Sequence, residues 1–278
     1  MRSTCSNAGD KPAWTGSDRR PAVTPRILVV IPTYNEAENV ESLVAEVLAQ
    51  GESIDVRVAD DRSPDGTGDI VGRLRPRFPG RVDLLEAAEK RGRGAAVIEA
   101  FKQGLTDPRG YELFFEMDAD FSHLPGEIPK FIEKLQTHDM VIGSRYMTGG
   151  GTSQWGVVRP VLSWLANKYV AFVAGIPVRD TTSGYRGYRR AVLERTEFDR
   201  IKIKGYVVHG EIAYQAWIHG FRIGEVPIHF RNRAREASKL TWQEIYMALV
   251  NFALLSFRYG VRPHGPSAFP ADGRGPRS

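Results

Sequence analysis

Four short apolar runs, each followed by a stretch of helical character, recur through the first half of the chain, and this alternation limits the fold more than any other feature. Arg26 to Ile31, Ile54 to Ala59, Val82 to Leu85 and Leu113 to Met117 are nearly continuous apolar runs, as strands covered on both faces tend to be. After the first run, Val40, Leu43, Val44, Val47 and Leu48 line one helical face, and helices are expected near 68–74, 95–105 and 125–135 after the others. Successive βα units predict an α/β fold with a mostly parallel central sheet flanked by helices. Pro32 is expected to stop the first strand, and Thr33 with Glu36 to form a capping box. The second half is less regular. It predicts strands at Met140–Ser144 and Arg222–Ile228, a strand after the polar turn Asp180–Tyr185, and helices over Trp155–Ile176, His209–Ile218 and the segment opened by Thr241. Residues 26–260 form one expected domain, between a polar leader (1–25) and tail (261–278) that are read as disordered.

At 278 residues and 42% hydrophobic content the chain can bury one large core. Its net charge of +5 favours anionic partners. With no zinc-finger spacing, RRM signature or dense basic block, nucleic acid is not expected among them. The single Cys5 excludes an internal disulfide and fits a reducing compartment. No basic-then-apolar leader precedes the first strand, so no signal peptide is expected. Val157–Ile176 is interrupted by Arg159, Asn167 and Lys168, and Met247–Phe257 is too short to cross about 30 Å of hydrocarbon. Trp155, Trp164, Tyr169 and Phe172 beside basic residues suit either a membrane-interface helix or a core-facing one.

The fourth run ends abruptly in Asp118-Ala119-Asp120. Two acids one residue apart lean to the same side of a strand end, where their repulsion is relieved by a divalent cation. All-oxygen ligands suit Mg²⁺ or Mn²⁺ rather than zinc. The competing reading is that Asp120 or Ser122 merely caps the next helix. Lys90-Arg91-Gly92-Arg93-Gly94 lacks both the dinucleotide fingerprint and the Walker sequence, so its bases face either solvent or a pyrophosphate. Asp60-Asp61 either accepts from a nucleoside or starts a turn. Arg145 and Arg159 are candidate phosphate ligands. His123, His209 and His219 have no metal-ligand spacing, and no Ser-His-Asp or Cys-His arrangement is present.

In their order, these motifs form a recognisable set. Val30-Ile31-Pro32-Thr33-Tyr34-Asn35-Glu36, then Asp60-Asp61-Arg62-Ser63-Pro64-Asp65-Gly66-Thr67, then Glu116-Met117-Asp118-Ala119-Asp120-Phe121-Ser122-His123 resemble family 2 of the inverting glycosyltransferases. Gly143-Ser144-Arg145-Tyr146, Thr182-Ser183-Gly184-Tyr185-Arg186 and Ala237-Ser238-Lys239-Leu240 resemble the polyprenol (dolichyl) phosphate mannose synthase branch in particular. The resemblance runs from about Arg26 to Tyr259.

It implies a GT-A type, Rossmann-like fold and transfer of mannose from GDP-mannose to a polyprenyl phosphate, with Mg²⁺ or Mn²⁺ as cofactor. Pro32, Tyr34 and Glu36 match the nucleotide loop, with Ala59 and Asp61 beside the guanosine. Asp118, Ala119 and Asp120 match the metal and diphosphate motif, with Asp120 the implied direct ligand and Ser122 a further one. Arg145 matches a residue at the reacting phosphates, and Arg159 a second acceptor-phosphate arginine. Asp120 and Arg145 are thus the implied catalytic residues. Arg233 and Lys239 match a late basic loop over the donor diphosphate. Arg62, Ala59 and the basic Lys90–Gly94 loop depart from the family pattern. The implied location is cytoplasmic and peripheral, at the cytoplasmic face of a membrane, through surface contact or a separate anchoring protein, with 155–176 and 241–259 as candidate interface helices. The remaining alternatives are a family 2 transferase using UDP-glucose or another sugar, and a non-catalytic nucleotide-sugar-binding subunit.

Overall fold

The computed structural model describes residues 25–153, 158–201, 207–231, 254–255 and 258–259. Among these residues the strands are β1 (Ile27–Thr33), β2 (Ile54–Asp60), β3 (Val82–Glu86), β4 (Leu113–Glu116), β5 (Met140–Ser144), β6 (Gly151–Ser153), β7 (Arg186–Arg189), β8 (Ile223–Pro227) and β9 (His229–Arg231). The helices are α1 (Val40–Leu48), α2 (Thr67–Leu74), α3 (Arg93–Thr106), α4 (Ile128–Leu135), α5 (Val158–Ala174), α6 (Arg190–Arg195) and α7 (Val207–Ile218). Seven strands make one sheet in the order β3-β2-β1-β4-β7-β5-β8, while β6 and β9 pair separately.

The continuous apolar strands are split by their period of two between two cores. Leu28 and Val30 of β1 and Phe114 of β4 face α3, where Ala96, Val97, Ala100 and Phe101 are buried with them. Ile27, Val29 and Ile31 face the other way onto Val40, Leu43, Val44 and Val47 of α1. Each such aliphatic side chain, fully buried, stabilises the fold by roughly 1.5–3 kcal/mol. Helix α3 lies so close to the sheet that a Cβ on Gly104 would stand 2.6 Å from Leu28 Cδ2 and 2.8 Å from Phe114 Cε1.

Strands β1 to β4 are parallel, as the βα repeat predicts. Strand β7 is antiparallel to both β4 and β5. Its entry loop therefore arrives at the edge where β1, β2, β4 and β5 end, and all the chemistry-bearing segments share that edge. Two local expectations fail. Strand β1 runs through Pro32 to Thr33, because β4 pairs only as far as Val30 and no neighbour there requires a proline N–H. No capping box forms at α1. Asn39 occupies the cap position without a side-chain bond to the helix N–H groups, and the Thr33 hydroxyl is turned instead to Asp60 at 2.7 Å.

Candidate active site

The two acids closing β2 act first as anchors. Asp60 is buried and accepts the Thr33 hydroxyl at 2.7 Å, the Ser63 hydroxyl at 2.6 Å and the Ser63 N–H at 2.8 Å. Asp61 accepts the backbone N–H groups of Arg91 and Gly92, each at 2.8 Å, so the basic loop before α3 hangs on this carboxylate. Beside it lies a basin of about 550 Å³ lined by Arg62, Leu85, Ala87, Ala88, Glu89 and Arg91, within the size range of small-ligand sites. Ala59 is buried and pairs across the sheet with Leu85 of this lining, and Pro32, also buried, pairs with Ala59.

The Ser63–Thr67 turn braces the loop that follows β1. Asn35, Glu36 and Ala37 donate their N–H groups to Ser63 Oγ, Thr67 Oγ1 and Asp65 Oδ2, each at 3.0 Å. Burial works against the charge on Asp65, but bonds from the Thr67 hydroxyl and from backbone N–H groups outweigh it and hold the carboxyl below its ordinary value. Asn35 takes φ 61°, a left-handed conformation that asparagine tolerates. Tyr34 is thereby left exposed, with Lys90 Nζ 3.4 Å from its ring centroid. Glu36 accepts the Asn39 amide at 3.0 Å.

The Asp118–Asp120 turn follows β4 and is held from several sides. Asp120 Oδ1 accepts the hydroxyl of Ser122 at 2.6 Å and its N–H at 3.0 Å. Phe121 between them is left-handed, at φ 57°. The Asp118 N–H donates to Nδ1 of buried His123 at 2.9 Å, which places the proton of the neutral imidazole on Nε2. Burial pushes the His123 pKa down, in keeping with a neutral ring. That ring stacks on Tyr185 at 4.9 Å and meets the edge of Phe230 at 5.7 Å. Arg93, the first residue of α3, bonds Glu116 at 3.0 Å and pairs with Asp118. Gly184 leaves room for it, since a Cβ there would lie 3.1 Å from Arg93 Nη2. Glu116 is fully buried, with His209 Nδ1 3.1 Å from its second oxygen. Burial disfavours its charge, but His209 and Arg93 outweigh that and keep the carboxyl low.

Arg145 follows β5 on the same edge. Its Nε and Nη2 each donate to Asp180 at 2.7 Å, and Nη2 also donates to the Thr182 hydroxyl at 2.6 Å. The rings of Tyr146 and Phe230 flank the guanidinium at 5.5 and 5.6 Å. Burial opposes the charge on both partners, yet their mutual attraction raises the Arg145 pKa and lowers that of Asp180. The N–H of Arg231, at the end of β9, reaches Ser122 O at 3.4 Å, so the chain leaves β9 beside the Asp118–Asp120 turn. Arg233 and Lys239 themselves lie outside the described residues, as do the leader before residue 25, the tail, and most of the helix expected over 241–259. Arg159 falls within α5, but its side chain lies outside the described set.

The structure thus brings Tyr34, Glu36, Asp61, Asp118, Ala119, Asp120, Ser122 and Arg145 to loops on one edge of the sheet. It adds His123, Asp180, Thr182 and Asn167, to which the sequence assigns no site role, and Arg93, whose base the sequence directs to solvent or a pyrophosphate and which the structure turns to Glu116 and Asp118. Asn167 did leave a sign, as one of the polar interruptions, with Arg159 and Lys168, in a mostly apolar segment. Among the described residues no three His, Cys, Asp or Glu side chains form a ready cage for a metal. The donor set nevertheless fits a hard divalent cation of the kind held by one or two carboxylates and completed by substrate phosphates.

A mostly parallel α/β sheet with paired aspartates and an arginine on its carboxyl edge describes a nucleotide-sugar transferase of the GT-A type. The chain belongs to glycosyl transferase family 2, whose family model matches residues 28–196. Polyprenol monophosphomannose synthase of Mycolicibacterium smegmatis is 40% identical over 256 residues, 92% of each chain. Undecaprenyl-phosphate mannosyltransferase of Micrococcus luteus is 38% identical over 226 residues, covering 81% of this chain and 92% of that one. Among solved structures, glucosyl-3-phosphoglycerate synthase from Mycobacterium tuberculosis, with Mn²⁺, UDP and glucosyl-3-phosphoglycerate, superposes with a TM-score of 0.62. It covers 91% of this chain and 87% of its own at 17% identity, a likeness of fold alone.

Proposed function

We infer that this chain is an inverting transferase that moves mannose from GDP-mannose to a polyprenyl phosphate, giving a polyprenyl β-D-mannosyl phosphate. The observation that carries this conclusion is the 40% identity to a polyprenol monophosphomannose synthase across nearly the whole of both chains. The geometry supplies a compatible set of roles. An acceptor phosphate oxygen attacks the anomeric carbon as the bond from that carbon to the diphosphate breaks, and the electron pair leaves with GDP. A phosphate monoester with a second pKa near 6 is already largely dianionic at neutral pH, so a strong general base is not required. The braced Tyr34–Ala37 loop and Asp61 frame the nucleotide. Arg145 orients the acceptor phosphate, with Arg159 as its proposed partner, and Arg233 and Lys239 are assigned to charge neutralisation of the donor diphosphate.

Asp118 and Asp120 would hold the divalent cation, Mg²⁺ or Mn²⁺, with Ser122 as a further oxygen donor. When bound, the cation supplies charge neutralisation for the leaving diphosphate. No helix among the described residues is long and apolar enough to cross a membrane. Trp164, Leu165 and Phe172 of α5 are exposed, and Lys168 Nζ sits 5.7 Å from the Trp164 ring. That face supports peripheral binding at a cytoplasmic membrane surface, where the lipid acceptor is presented, with a separate anchoring protein as the further proposed partner.

The test is sugar transfer from GDP-mannose and from UDP-glucose to a polyprenyl phosphate, followed by extraction of labelled lipid. Labelled lipid from GDP-mannose, at a rate well above that from UDP-glucose, is the expected result. A preference for UDP-glucose would reassign the donor. GDP-mannose binding with neither GDP release nor labelled lipid would make the chain a non-catalytic subunit.

A further inference from the structure

The Arg145 corner is held by a hydrogen-bond network that reaches β8 and α5. Asp180 is completely buried, and besides the guanidinium it accepts the backbone N–H of Arg145 at 3.0 Å. Glu225 of β8 in turn accepts the N–H groups of Arg179 and Asp180, at 2.9 and 3.1 Å, which fixes the turn that carries the carboxylate. The Thr182 hydroxyl is a junction. It accepts from Arg145 at 2.6 Å and from the Asn167 amide at 3.2 Å, and it donates to Asp180 at 3.2 Å. Asn167 also accepts the Thr181 hydroxyl at 2.9 Å and the Thr182 N–H at 3.2 Å. Asn167 is buried, and it lies on α5, the helix that presents Trp164, Leu165 and Phe172 outward.

We propose that Asp180 and Thr182 are positioning residues for Arg145, and that Asn167 makes the orientation of this arginine depend on the seating of helix α5. The inference rests on the reading of Arg145 as the acceptor-phosphate ligand. An arginine gripped bidentately by a buried carboxylate has its fork fixed in one plane, with its net charge largely offset. What it offers a phosphate is then direction more than charge, and direction is set by Thr182 and Asp180. Because the same hydroxyl is bonded to Asn167, a shift of α5 changes the plane of the fork. A lipid acceptor whose chain lies against the exposed side of α5 and whose phosphate meets Arg145 would be held at both ends by one connected set of bonds.

Steady-state kinetics with a detergent-soluble short-chain polyprenyl phosphate tests this, using Thr182→Val, Thr182→Ser, Asn167→Ala and Arg145→Lys. Thr182→Val keeps the side-chain shape and removes the hydroxyl. It should raise the acceptor KM at least about tenfold, the lower end of what one lost hydrogen bond to a charged group costs, with the GDP-mannose KM within about twofold of wild type. Thr182→Ser should restore the acceptor KM. Asn167→Ala should shift the same constant in the same direction. A thermal melt of each variant identifies a folding defect, which would lower kcat and move both KM values together. Thr182→Val with unchanged acceptor KM, beside an Arg145→Lys variant that is impaired for acceptor, overturns the positioning claim and leaves the role of Arg145 standing. If Arg145→Lys itself leaves the acceptor KM unchanged, the underlying assignment of Arg145 is the part that fails.

Discussion

A carboxylate is available to a cation only to the extent that its neighbours leave its charge in place, and Asp118 and Asp120 differ in this respect. Asp118 faces Arg93, whereas the bonds to Asp120 Oδ1 come from the neutral Ser122 hydroxyl and N–H. Asp120 is also partly exposed on its turn, so Asp120→Ala should abolish mannose transfer while the circular dichroism spectrum and melting temperature stay near wild type; full activity would contradict its assigned role. His123→Phe keeps a ring against Tyr185 but removes the acceptor of the Asp118 N–H. Leaving that buried group unsatisfied should cost about 1–3 kcal/mol, seen as a lower denaturant midpoint, and should weaken Mn²⁺ binding measured by electron paramagnetic resonance. At this scale the sequence displayed the residues proposed to meet substrate: Asp118, Asp120 and Arg145 stand in recognisable local strings. Their supports were not legible, because Arg93, Asp180 and Asn167 acquire their roles only when distant segments meet. Asp180 is 35 positions from the arginine it holds.

Among the elements, α3 and the strands it covers depend on one close approach. Gly104→Ala places a methyl group against Leu28 and Phe114 with little room to yield. The expected cost is about 1–3 kcal/mol, read as a fall in melting temperature with donor KM unaltered in the folded fraction. Helix α5 makes the opposite kind of prediction. Phe172, 79% exposed, can become aspartate with little effect on stability, yet Phe172→Asp should weaken co-sedimentation with anionic vesicles if that face meets lipid. The βα order of the first half was readable because each strand and helix has its own period. The direction of β7 was not, since Arg186–Arg189 is short and nothing local tells parallel from antiparallel pairing. Pro32 misled for a related reason. A proline ends a strand only where a neighbour needs its N–H, and which neighbour lies there is a property of the assembled sheet.

For the molecule as a whole, the site stands on buried ionisable groups, and pH dependence follows from them. Burial lowers the pKa of His123 and His209 in the folded chain. As pH falls below about 6.5 the unfolded chain binds protons first, so stability should decline from there before ordinary carboxylates titrate. Glu116 and Asp180 are held below their usual values, so their contribution is full above about pH 4.5 and is lost as pH falls through their folded values. Denaturant midpoints measured from pH 7.5 down to about 5 should show this slope, and His209→Asn should flatten it; an unchanged slope would remove His209 from the account. The sheet, the edge that carries the site and the family were all legible in the order of the motifs. The linkage of that edge through β7, β9 and α5 required the folded chain.

The most direct test is the product itself. Purified protein incubated with GDP-mannose, a polyprenyl phosphate and Mn²⁺ should yield a mannosyl phospholipid whose one-bond carbon–proton coupling at the anomeric centre identifies the β configuration. An α-linked lipid, or free mannose with no lipid product, would contradict single in-line displacement by the acceptor phosphate.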